Sequence, residues 1–216
     1  MRAINKRNEP ASLTEHREGQ FNNYNNYVNK DDLRHTLVTE QRGLCCYCMG
    51  RIHPNSQKMK IEHWHCQSRY PNEQLNYRNL LGACLGGHGG GKKSQHCDTR
   101  KGDKDIKWNP ADPARIIEDR ITYEYWGHIR SKEAIFDRQI NDVLNLNLPV
   151  LRQHRKVLIN TIIRWWKREK ARGNGRVPRS RIDGKRNQIL NGNDVLRPYC
   201  QVAVWWLDQK IARIEA

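Results

Sequence analysis

Four thiols and one acid–imidazole pair stand out as residues whose types and spacing suit chemistry. Cys45 and Cys48 lie in "GLCCYCMG" at the C-x-x-C spacing of a zinc knuckle, and Cys84 and Cys97 follow downstream. Zn²⁺ takes four thiolates tetrahedrally in closed structural sites, which makes this set a candidate structural zinc centre. The second pair is separated by the glycine-rich "LGGHGGGKKSQH", so His96 stands as an alternative to Cys97, with His88 a lesser candidate. Cys46 and Cys66 read as packing residues, and Cys200 sits on an apolar helix face where a thiol behaves as a small hydrophobe. Seven cysteines, an odd number, do not suggest a disulfide framework. The opening "MRAINKRNEPASLTEHREG" has no apolar h-region, so a cytoplasmic setting with reduced thiols is expected.

Glu62 and His63 follow in "IEHWHC", then come "NYRNLLGAC" and "HCDTRKGD". An acid–histidine dipeptide carries little by itself, but this downstream order resembles the motif of the HNH (ββα-metal) endonucleases. That motif runs from an acid–His pair on a first strand to an Asn before an apolar run, then a Cys followed by a polar ligand and a Lys. Here these are Glu62-His63, Asn79, and Cys97 to Lys101, interleaved with the C-x-x-C pair over roughly residues 43–105. The resemblance implies His63 as general base, with a near-neutral pKa suited to activating water. It implies Asn79 orienting that histidine or reaching a metal, and Glu62 and Asp98 as oxygen ligands of a catalytic Mg²⁺ or Mn²⁺. Arg100 and Lys101 would meet substrate phosphates.

The sequence departs from the family at two places. Glu62 stands where Asp is usual, a longer arm, and Asp98 stands where His or Asn is usual, which makes the ion site more anionic. Both bear on metal preference. His65 is a further candidate, as ligand or as support.

Beyond the motif, "LCCYC", "IEHWHCQSRYP", "LNYRNLLGAC", "HCDTRKGD", "NPADP…ITYEYWGHI" and "VLNLNLPVLRQHRKVL" are similar to the PtuB type of HNH nuclease found in Septu and retron anti-phage systems. This likeness implies an ABC-type ATPase partner (PtuA-like), and with it a retron reverse transcriptase and its RNA–DNA product. DNA is expected ahead of RNA as substrate. A rival from another class is a non-catalytic zinc module that binds nucleic acid or protein.

The elements that must position these residues give an α+β fold, a zinc-stabilised ββα-metal core between helical parts. Residues 1–30, with "NNYNNY", read as a polar, extended or partly ordered arm; 31–130 as the nuclease domain; and 131–216 as a helical region for partner docking. "NKDDLRHTLVTEQRG" predicts a helix with Asp31 or Asp32 at its N-cap and Gly43 near its C-cap. Alternation around Ile117, Ile121, Tyr123 and Tyr125 predicts a strand turning at Gly127. "KEAIFDRQINDVLNLN" and "LPVLRQHRKVLINTIIRWWKREKARG" have helical spacing, and Pro149 fits the first turn of the second. "GNGRVPRSRIDGKRN" reads as a basic loop, and Pro198 delays or kinks the last helix.

The pairs Trp165-Trp166 and Trp205-Trp206 read as core or interface anchors more than as a base-stacking platform. Arg164, Lys167, Arg168, Lys170 and Arg172 form either a phosphate-tracking or a merely solvated face. The chain has 216 residues, 37% of them hydrophobic, with mean hydropathy −0.96 and a formal charge of +16. Such a balance points to a polyanionic partner, and no segment approaches the apolar length of a membrane span.

Overall fold

Leu33 and Leu37, one helical turn apart, bury the inner face of α2 (Lys30–Glu40). This helix backs the hairpin that carries Glu62 and His63. The computed structural model describes residues 1–191 and 194–215, and its architecture is α+β, with seven helices and two short antiparallel sheets among the described residues. β1 (Lys60–His63) pairs with β2 (Leu80–Ala83), placing Glu62 opposite Leu81 and His63 opposite Leu80. All four β2 residues are buried. At its middle, Gln41 clasps Gly82 from both sides: its Oε1 accepts from the Gly82 N–H at 2.6 Å and its Nε2 donates to the Gly82 carbonyl at 2.8 Å. The Cys46 N–H reaches that same carbonyl at 3.0 Å, so a main-chain bond hangs the cysteine knuckle on β2. A side chain at Gly82 would crowd Ile52, Gln41 and Met59 at 3.0–3.2 Å.

The first thirty residues depart from an extended arm. They contain α1 (Ala11–Glu18), and Leu13 and Tyr27 are fully buried against Leu33, Leu37 and Leu80. Lys6 bonds the buried Glu40 at 2.6 Å, and Tyr77 donates to the other Glu40 oxygen at 2.6 Å. A few anchors hold the segment down, which its polar composition conceals.

After the hairpin comes α3 (Cys97–Lys101), closed by Gly102 at φ +53°. The strand expected through 117–125 is shorter: Ile117–Arg120 winds a 3₁₀ turn, and β3 (Thr122–Tyr123) pairs with β4 (Ile129–Arg130). Gly127 turns between them at φ +82°, with Arg152 O only 2.1 Å from where a Cβ would lie. The wholly buried Arg155 braces this corner, donating to the carbonyls of Gly127 (2.6 Å) and Leu146 (2.7 Å).

α4 (Ala134–Arg138) runs into a π-helical turn, and α5 (Pro149–Arg172) begins at its proline as expected. The basic stretch after it is a helix, α6 (Arg179–Asn191), where a loop was expected. Ile182 is fully buried in a cluster with Ile162 and Leu207, and that packing overrides Gly184 and the high charge that weaken the local signal. Pro198 gives a late start to α7 (Cys200–Glu215). The paired tryptophans are half-buried, Trp166 meeting Trp206 edge-on at 5.6 Å between these helices and Trp205 meeting Tyr123 of β3 at 5.7 Å. No helix among the described residues is long and apolar enough to cross a membrane.

Candidate metal centre and acid–histidine site

The Cys45–Gly50 turn folds back on itself: Cys45 N–H bonds Gly50 O at 2.8 Å, Met49 N–H bonds Cys45 O at 3.0 Å, and Met49 takes φ +64°. The Gly50 N–H donates to Cys48 Sγ at 3.3 Å. Cys84 follows β2 directly. Cys97 opens α3 at φ +54°, a conformation unfavourable for a side-chain-bearing residue and held by its N–H bond to Leu144 O at 2.9 Å.

The Sγ atoms of Cys45, Cys48, Cys84 and Cys97 lie within 4.8 Å of one another. Cys45 and Cys97 are 3.8 Å apart and Cys48 and Cys84 3.7 Å. Tetrahedral thiolates at Zn–S ≈ 2.3 Å have sulfurs about 3.8 Å apart, so the donors fit that ion. Packed this tightly, the thiols cannot ionise independently. Burial opposes ionisation of Cys45, but hydrogen bonds from its neighbours outweigh it and hold the thiol well below its ordinary range. Burial and those same neighbours push Cys97 well above.

His96 Nδ1 lies 3.1 Å from Cys97 Sγ and 3.9 Å from Cys84 Sγ, beside the cluster, while His88 is exposed in the glycine-rich loop. Cys46 and Cys200 are buried outside the cluster, and Cys66 bonds Asp103 O at 3.4 Å.

Glu62 and His63 end β1, one on each face of the strand. The Glu62 carboxyl is 2.6 Å from the Tyr47 hydroxyl, which donates to it, and 2.9 Å from the Lys101 ammonium. Burial first, then the Asp98 carboxyl facing it, pushes Glu62 well above the usual carboxylate range, against the pull of Lys101 and Tyr47. Lys60 lies 3.4 Å from Asp98. Two carboxyls from β1 and α3 thus converge, each with a lysine beside it, and carboxylate oxygens are donors of the kind hard divalent cations take.

His63 Nε2 is 3.0 Å from the carbonyl of Gln74. A carbonyl only accepts, so Nε2 carries the proton and Nδ1 keeps its lone pair, facing the Gln67 amide at 3.4 Å. Burial draws the imidazole down to about 4, and Tyr24 packs edge-on over the ring with centroids 4.5 Å apart.

The remaining expected residues fall elsewhere. The Asn79 side chain is used up by main chain: Oδ1 accepts from His65 N–H at 2.7 Å, and Nδ2 donates to His65 O at 2.9 Å and Glu73 O at 3.2 Å. It fixes the chain just after His63, and touches neither the imidazole nor the carboxyl pair. His65 bonds Glu73 at 2.9 Å and stacks on Tyr70, a supporting place. Lys101, expected to meet phosphates, is 2% exposed and donates to His63 O at 3.0 Å as well as to Glu62. Its ammonium neutralises the acid from within. Arg100 donates to Lys92 O at 2.9 Å on the surface of the loop.

Tyr47, Gln74, Gln67 and Tyr24 were missed by sequence reasoning. Tyr47 carried a signal, sitting between cysteines of a metal knuckle; the other three are assembled only by the fold.

No family model matches the chain. It is similar to the Septu protein PtuB of Bacillus thuringiensis, 26% identical over 154 residues. That stretch is 71% of this chain and 55% of the relative, so the match spans about half of the relative's length.

Proposed function

We propose that this chain is a metal-dependent HNH endonuclease that hydrolyses phosphodiester bonds, DNA ahead of RNA, as an effector of anti-phage defence. The observation that carries the reading is the end of β1, where His63 has its Nε2 proton held by Gln74 on one face and the Glu62 carboxyl meets Asp98 on the other. Nδ1 takes the proton of an attacking water, while the Gln74 carbonyl holds the ring in register and Asn79 fixes the following main chain. Glu62 and Asp98 would hold a divalent cation, which would supply stabilisation of the charge that develops on the scissile phosphate and leaving oxygen. Lys101 and Lys60 balance the two acids when that position is not engaged. The four thiols would hold zinc, which would supply folding free energy to this segment.

The likeness to PtuB supports the defence setting and, with it, an ABC-type ATPase partner. A retron reverse transcriptase with its RNA–DNA product is the more distant part of the same proposal. One observation favours the rival reading, a zinc module that binds without cutting: His63 is only 6% exposed, under Tyr24.

Incubation of the purified chain with supercoiled plasmid, single-stranded DNA and total RNA, in Mg²⁺, Mn²⁺ or EDTA, separates the two. Metal-dependent cutting, by the chain alone or with the ATPase added, supports the nuclease. Binding without cutting under every condition supports the module.

A further inference from the structure

α5, α6 and α7 enclose a pocket of about 300 Å³ that is remote in sequence from the acid–histidine site. Its floor is apolar, made by Ile162, Cys200 and Ala203, all nearly inaccessible. Trp165 forms a wall, half-buried, with the Lys185 ammonium 5.9 Å from its ring centroid. Arg168, Lys185 and Arg197 also line it, the two arginines exposed, and no acid among the described residues does.

Three acids of α5, α6 and α7 are paired elsewhere. Glu169 is taken by Arg181 at 2.7 Å, Asp183 by Arg179 at 3.1 Å and Asp208 by Arg186 at 2.7 Å. Neither Arg168 nor Arg197 has an acidic partner among the described residues. Gln188, bonded to Lys185 at 2.8 Å, adds an amide at the rim, and Thr161 a hydroxyl.

We propose that this pocket binds a single nucleotide, its base lodged against Trp165 over the apolar floor and its phosphate held by Arg168, Lys185 and Arg197. The volume lies at the lower end of small-ligand sites, room for one nucleotide and too little for a partner helix. An indole face suits any base, and two guanidiniums with an ammonium suit a dianionic phosphate. The same chemistry is offered by a free nucleotide and by the 5′-phosphorylated end of an unpaired strand.

Equilibrium dialysis of the full chain, without added Mg²⁺ or Mn²⁺, tests this with adenosine monophosphate, adenosine, inorganic phosphate and octyl phosphate. Adenosine monophosphate is expected to saturate one site at least tenfold more tightly than any of the other three. R168Q/R197Q should weaken it at least tenfold with the melting temperature unchanged, and A203L, which fills the floor, should weaken it independently. Equal binding of adenosine, phosphate or octyl phosphate overturns the assignment, as does full binding by folded R168Q/R197Q. A 5′-phosphorylated oligonucleotide that competes, where its 5′-hydroxyl counterpart does not, assigns the site to strand ends. Binding of the mononucleotide without such competition assigns it to free nucleotide.

Discussion

Tyr47 shows how much rests on single side chains. Its neighbours on one side and the next but one belong to the sulfur cluster, yet its hydroxyl turns the other way and donates to Glu62 at 2.6 Å. Metal knuckle and acid site are thereby joined through one residue. Tyr47→Phe leaves a buried carboxyl oxygen short of a donor, a loss of about 1–3 kcal/mol. Denaturant unfolding should show that loss with zinc content unchanged; equal stability would mean that the hydroxyl does not serve Glu62. Tyr24 has a different consequence. As the cover of His63, its replacement in Tyr24→Ala should raise the rate at which diethyl pyrocarbonate modifies His63 several-fold, followed by peptide mass spectrometry. An unchanged rate would place the protection elsewhere. At this scale the sequence was legible where chemistry dictates residue type, as in the four cysteines whose sulfurs the fold gathers. It was not legible for Lys101, because a Lys in a phosphate-site motif and a Lys buried against its own acid look alike until burial is known.

Elements tell a similar story for periodicity. α5 starts at Pro149 and ends beside Gly173, as its spacing and its proline predict. α6 was hidden because its stability comes from packing of Ile182 and Ile189 rather than from local preference. The N-terminal segment was hidden for the same reason, Leu13 and Tyr27 doing the anchoring. The β3–β4 corner makes a sharp prediction. Gly127→Ala places a methyl group against Arg152 O in a backbone conformation that disfavours side chains, and should destabilise by about 1–3 kcal/mol or more. A melting temperature equal to that of the parent would show that the corner is not fixed as described. The knuckle predicts a joint loss: Cys48→Ser should lower bound zinc and thermal stability together. Full stability without zinc would remove the structural role of the cluster.

For the whole molecule, a formal charge of +16 governs how it meets a polyanion. Neutralising about six phosphates makes affinity fall roughly a thousandfold between 50 and 200 mM salt. A salt titration of duplex binding by fluorescence anisotropy should show that steepness, and a flat response would assign the charge to another purpose. The central claim, that His63 is the base of a metal-dependent nuclease, meets its most direct test in one comparison. Plasmid cleavage by the parent chain and by His63→Ala would be measured side by side in Mn²⁺, with the proposed ATPase partner present and zinc content matched. The account predicts cutting by the parent and none by folded, zinc-loaded His63→Ala; cutting by both at similar rates would contradict it.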